Sequence, residues 1–152
     1  MPVSSSHAPT PFRRAARFVA VFAWCGLIYA ASDRPDLRVS SDDLLDFVVR
    51  KAAHMVVFGI MLVLVERAVR RGEQASRASL VFAGLATFAY ACSDEWHQTF
   101  VRGRAGQVSD VAIDMVGATV AAVVVALLAR RHATRRPAPA VPPSIPAPEL
   151  VP

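Results

Sequence analysis

The sequence contains four apolar runs, 18–31, 52–65, 78–93 and 111–129, that have no polar face. Within them the charged residue is Asp114, and it is joined by the imidazole of His54. A helix at the surface of a soluble bundle shows polar residues at a 3.6-residue period on its outer side. Helices that are apolar all round belong in lipid. The sequence therefore predicts an all-α integral membrane protein with four transmembrane helices, rather than a soluble four-helix bundle. The last run alone approaches the roughly 20 residues that cross a hydrocarbon core. Ala15 and Ala16 extend the first, with Arg17 snorkelling toward the headgroups, and Phe47–Val49 and Val69 extend the second.

Charge supplies the orientation. The 17 basic residues flank the apolar runs and do not interleave with aromatics, which speaks for membrane topology and against nucleic acid. Eleven of them lie in the N-terminal segment, the 67–77 loop and the C-terminal segment, and six lie in the two other connections. The positive-inside rule then puts both termini in the cytoplasm, as in a multi-pass protein of the cytoplasmic (inner) membrane. Nine of the twelve acidic residues fall on the opposite, outer side. ATP and nucleic acid are therefore not expected as partners of that side.

The segment 1–14 is expected to be flexible, 15–132 to form the membrane domain, and 133–152 to be a disordered tail. Seven of the eleven prolines lie in 137–152, where a helix cannot continue. Arg13, Arg14 and Arg17 ahead of an apolar run also resemble a signal peptide, but Tyr29-Ala30-Ala31-Ser32 makes a poor cleavage site. Cys25 and Cys92 are expected at different depths, as free thiols.

Where the third run gives way to the fourth, Asp94, Glu95, His97, Arg102 and Arg104 crowd together, with Asp110 just beyond. Ionisable groups at the membrane edge are expensive and tend to be functional. Helical spacing puts Asp94, His97 and Gln98 on one face, with Glu95 turned about 100° away. Lys51 and His54 share a face of the second span, and Asp110 and Asp114 share one of the fourth. Gly103 and Gly106 permit the turn between the third and fourth spans, and Gly117 permits close helix approach.

Three chemistries fit these groups. The charges can simply lock helix ends together, Arg104 with Asp94 or Asp110, and Lys51 with Asp114. They can bind an anion, with Lys51 and Arg104 suited to phosphate or carboxylate and Trp96 and Phe100 placed to hold a sugar or headgroup. Or the two histidines and several carboxylates can bind a divalent ion, or Glu95 and His97 can act as an acid–base pair in a hydrolase or transferase. No H-E-x-x-H or comparably tight ligand pair is present, so no metal or cofactor is expected from spacing.

At these residues the sequence resembles the VanZ-like family of small bacterial membrane proteins, named for a teicoplanin-resistance accessory. The likeness covers most of 32–117. It runs through Ser32 and Pro35, then Lys51-x-x-His54-x-x-x-Phe58-Gly59 with Leu62, then Arg67-Ala68. It continues with Asp94-Glu95-x-His97-Gln98-x-Phe100-Val101-x-Gly103-Arg104, followed by Asp110, Asp114 and Gly117 at the family's spacing. Phe58 stands where the family usually has Tyr, Arg102 where Pro is common, and Asp114 where Asn is frequent. The resemblance implies a multi-span helical protein of the cell envelope without an established chemistry. The expected partners are the lipid bilayer and an anionic cell-wall precursor or glycopeptide-related ligand.

Overall fold

The computed structural model describes residues 11–35, 40–71 and 74–134, and all of its regular structure is helical. Four helices follow one another: α1 (Pro11–Ser32), α2 (Asp43–Val69), α3 (Arg77–Gln98) and α4 (Val108–Thr134). Three of them, α1, α2 and α4, are long and apolar enough to cross a membrane. Helix α3 has 22 residues, about 33 Å at 1.5 Å per residue, but its final turn carries Asp94, Glu95 and His97. Most of the C-terminal segment lies outside the described residues, as do residues 1–10.

Each helix outruns its apolar core because flanking residues keep it going. Helix α1 starts at Pro11, where a proline costs no hydrogen bond because the first amides of a helix are unpaired anyway. Asp42 caps α2, its carboxylate accepting from the amides of Leu44 and Leu45 at 2.9 Å each. Ser76 and Ser79 form a reciprocal capping box that starts α3. The α3–α4 turn passes through Gly103 at φ +81°, a left-handed conformation that a side chain disfavours.

The most extensive packing is between α2 and α4. They run parallel, since Lys51, His54 and Gly59 meet Asp110, Asp114 and Gly117 in the same order along both chains. A Cβ at Gly117 would collide with the backbone of Met55, and one at Gly59 would press on the Gly117 carbonyl at 3.2 Å. Glycine thus lets the two backbones touch. Met61, Leu62, Val65, Ala83 and Ala118 form the apolar centre beside this contact.

Helix α1 touches α2 and α3 and does not pack on α4. Val21, Trp24 and Ile28 pack it against the core, and side chains that donate to main-chain carbonyls add further ties. Arg17 donates to Arg67 at 3.0 Å, the Trp24 indole to Val57 at 3.1 Å, and the Tyr90 hydroxyl to Cys25 at 2.6 Å. Cys25 and Cys92 are both free thiols.

At the end of the bundle where α2 finishes, Glu66 is buried, a feature that its place beside Arg67 in the sequence gave no reason to expect. Its carboxylate accepts from the Ser79 hydroxyl at 3.0 Å and lies 4.0 Å from the Arg70 guanidinium.

Gly117→Ala is expected to destabilise the protein by about 1–3 kcal/mol, because α2 and α4 must separate to admit a methyl group. Gly84→Ala, with open space around the new Cβ, is expected to be neutral. Thermal unfolding of the two variants in detergent measures the difference.

Candidate functional site

The opposite end of the bundle gathers the C-terminus of α1, the first turns of α2, the last turn of α3 and the first turns of α4. Three polar clusters form there. In the first, Asp94 is buried and fully engaged: the Ser32 hydroxyl donates to Oδ1 at 2.7 Å and the Gln98 amide to Oδ2 at 2.9 Å. This ties α3 to the end of α1. In the second, Lys51 pairs with Asp110 across α2 and α4. In the third, His54 Nδ1 lies 3.0 Å from Oδ1 of the fully buried Asp114.

Glu95 completes the third cluster. It is buried, and its Oε2 accepts from the backbone amide of Gln107 at 2.8 Å. The α3–α4 turn presses close enough for this because Gly106 has no side chain to strike the Glu95 carbonyl. Oε1 of Glu95 and Oδ2 of Asp114 are buried without a hydrogen-bond partner among the described residues.

Several expectations from spacing resolve differently in three dimensions. Lys51 takes Asp110, not Asp114, and Asp114 takes His54. Arg104 has no carboxylate within ion-pair distance among the described residues; Asp94 is met by Ser32 and Gln98, and Asp110 by Lys51. Glu95 and His97 do not face each other. Two positions along a helix turn the side chain through about 200°, and His97 packs against Tyr29 of α1 with ring centroids 4.5 Å apart and planes tilted by 31°. Its Nε2 lies 3.4 Å from Asp33 Oδ1, near enough for charge attraction but not aligned as a hydrogen bond. Trp96 and Phe100 pack edge-to-face on the outside, 5.5 Å apart and largely exposed. That position suits an aromatic anchor at a membrane interface.

A cavity of about 570 Å³ lies between α1, α2 and the α3–α4 turn. Its polar wall holds Lys51, His54, Asp94, Gln98, Arg104 and Asp110, and Trp24, Leu27, Ile28, Phe47 and Phe58 form its apolar wall. Glu95 and Asp114 stand behind His54, and His97 lies away from the lining. The cavity is thus amphiphilic, with a polar side that carries charges of both signs and an apolar side.

With this arrangement in view, the comparison with protein families is decisive. The sequence model of VanZ/LLP1 matches residues 3–129. The chain belongs to the VanZ/LLP1 family. That match contains all four helices nearly to the end of α4, so the cavity and its three polar clusters lie within the family's domain. No curated protein and no solved structure matches the chain.

Because Lys51 and Asp110 are both half-buried, removing one should cost more than removing both. Lys51→Met is expected to lower the unfolding temperature, and Lys51→Met combined with Asp110→Leu to restore most of the loss. A double-mutant cycle on thermal unfolding reads the coupling, expected at about 1–3 kcal/mol.

Proposed function

We propose that this VanZ/LLP1-family membrane protein binds an anionic amphiphile of the cell envelope in the cavity beneath the α3–α4 turn. The observation that carries the reading is Arg104, a guanidinium on the cavity wall without a carboxylate partner among the described residues. Arginine binds phosphate and carboxylate in two-pronged fashion, and an unpaired one in a confined space favours an anion. The apolar side of the same cavity favours an attached chain or ring system. Together they suit a lipid-linked phosphate or a cell-wall precursor better than a free inorganic ion. Site residues in this reading are Lys51, His54, Gln98 and Arg104 at the ligand, with Asp94 and Asp110 orienting them.

The proposal extends to the membrane itself. Helix α3 is its fourth span, supported by the outward Val81, Phe82, Leu85 and Phe88, which continue the apolar belt of the other helices. Both termini are cytoplasmic, in keeping with the excess of Arg on their side, and the cavity faces outward across the cytoplasmic membrane. An acid–base mechanism through Glu95 and His97 is not favoured, since the two side chains meet different neighbours. The hydrogen bonds of the Ser32–Asp94–Gln98 cluster also fasten α3 to the end of α1, a structural role alongside its place in the cavity wall.

Binding is tested with the purified full-length protein in nanodiscs, using a labelled polyprenyl phosphate and, separately, inorganic phosphate. Retention of the lipid phosphate is expected, with Arg104→Ala weakening it at least tenfold, or about 1.4 kcal/mol, and Arg104→Lys weakening it less. Equal binding by wild type and Arg104→Ala would remove the anionic reading. Teicoplanin susceptibility of a Gram-positive host expressing the chain is the whole-cell counterpart, and loss of protection in Arg104→Ala is the expected sign.

Orientation has a separate test. Gly106, wedged against Glu95, is a poor place for a reporter, whereas Val108 is 88% exposed at the start of α4. Val108→Cys, in a Cys25→Ala/Cys92→Ala background, is expected to react with an impermeant thiol reagent from outside intact cells. Labelling only after the cells are opened would invert the orientation.

A further inference from the structure

We infer that His54, Glu95 and Asp114 form a binding site for one divalent transition-metal ion at the inner wall of the cavity. One donor atom from each of the three lies within 4.8 Å of the other two. They come from three different helices, α2, α3 and α4, so no sequence motif announces them.

Proximity of acidic groups alone does not make a site. The second observation is what these groups lack. Glu95 and Asp114 are each at least nine-tenths buried, with relative exposures of 5% and 0%, and each keeps one oxygen with no partner among the described residues. Two buried carboxylates stand beside a single imidazole, which is bonded to Asp114 alone. The nearby ammonium of Lys51 is engaged by Asp110, and the donors around Asp94 are engaged by Asp94 itself. Buried polar atoms in folded proteins are nearly always satisfied, and buried charges are paired or coordinate a metal. A divalent cation supplies both missing partners at once.

The geometry is permissive. Ligands about 2.1 Å from one ion at a right angle to each other are about 3 Å apart. His54 Nδ1 and Asp114 Oδ1 already stand at 3.0 Å, and an ion held by both Asp114 oxygens also engages the unpartnered Oδ2. Closing Glu95 onto the same centre takes a side-chain adjustment. The Gln107 amide holds Glu95 Oε2 at 2.8 Å and leaves Oε1 available, as orienting hydrogen bonds behind a metal ligand commonly do. One nitrogen and two carboxylates suit Mn²⁺ or Zn²⁺, and three protein ligands leave coordination positions open. His54 also lines the cavity, so the ion would add a positive centre to the wall that carries Arg104. The inference does not depend on the anionic ligand, because Arg104 is not one of the three donors.

The test is metal binding by the full-length protein, prepared without a histidine tag in detergent, stripped with chelator and equilibrated with Mn²⁺ or Zn²⁺ alone. One ion per chain is expected. Glu95→Gln and Asp114→Asn are each expected to weaken binding by more than the roughly 10–100-fold typical of losing a supporting hydrogen bond. Arg104→Ala is expected to keep the ion, which separates failure of this site from failure of the anion site. A monodisperse wild type that binds neither metal, or a Glu95→Gln/Asp114→Asn double variant that still binds one ion per chain, would overturn the assignment. Should the carboxylate variants fail to fold, His54→Cys in a Cys25→Ala/Cys92→Ala background decides with Co²⁺. A thiolate-to-cobalt charge-transfer band supports the site, and a folded variant with bound cobalt but no such band, or without cobalt, refutes it.

Discussion

The backbone contact between Met55 and Gly117 is the constraint on which the rest of the architecture rests. Two parallel helices that touch at main-chain distance leave no room for long side chains between them, so the polar groups one turn away are forced into register. His54 immediately precedes Met55, and Asp114 sits three residues before Gly117. Their hydrogen bond is a direct consequence of the close approach, and the Lys51–Asp110 pair follows one turn further toward the helix starts. Helix association in lipid lacks the hydrophobic driving force available in water and relies on tight packing and polar contacts. Here both operate at the same seam.

The two ends of the bundle handle buried charge in contrasting ways. Glu66 is met by Ser79, which also belongs to the capping box of α3, and the carboxylate is absorbed into a local helix-starting device. At the cavity end, Asp94 is treated in the same manner by Ser32 and Gln98. Glu95 and Asp114 are not, since each retains an oxygen without a partner among the described residues. Satisfied and unsatisfied carboxylates therefore stand within a few residues of one another. The difference arises from which helix each side chain faces and not from residue type.

Much of the helical framework was legible in the sequence because an apolar run without a polar face admits few alternatives. The gathering of ionisable residues at one end was legible too, since spacings of three and four put Lys51 with His54 and Asp110 with Asp114. Partner choice was not. Periodicity fixes the face of a residue on its own helix, but not the rotation of that helix against its neighbours. Lys51 and Asp110 could thus not be told from Lys51 and Asp114, nor could Arg104 be recognised as lacking a carboxylate. The turn of about 200° between Glu95 and His97 was contained in helix geometry, and it weighed against pairing them. Glu66 was hidden by its position among loop arginines, where a charged residue ordinarily meets water.

The manner in which α1 is fastened has an evolutionary consequence. Three of its ties end on main-chain carbonyls, those of Arg67, Val57 and Cys25, and a carbonyl survives any substitution of the residue that bears it. These hydrogen bonds therefore survive substitution at the accepting positions, whereas each is lost with its donor, Arg17, Trp24 or Tyr90. Helix α1 also forms one wall of the cavity. A lineage can accordingly reshape the lining around Val57 while the wall itself stays docked.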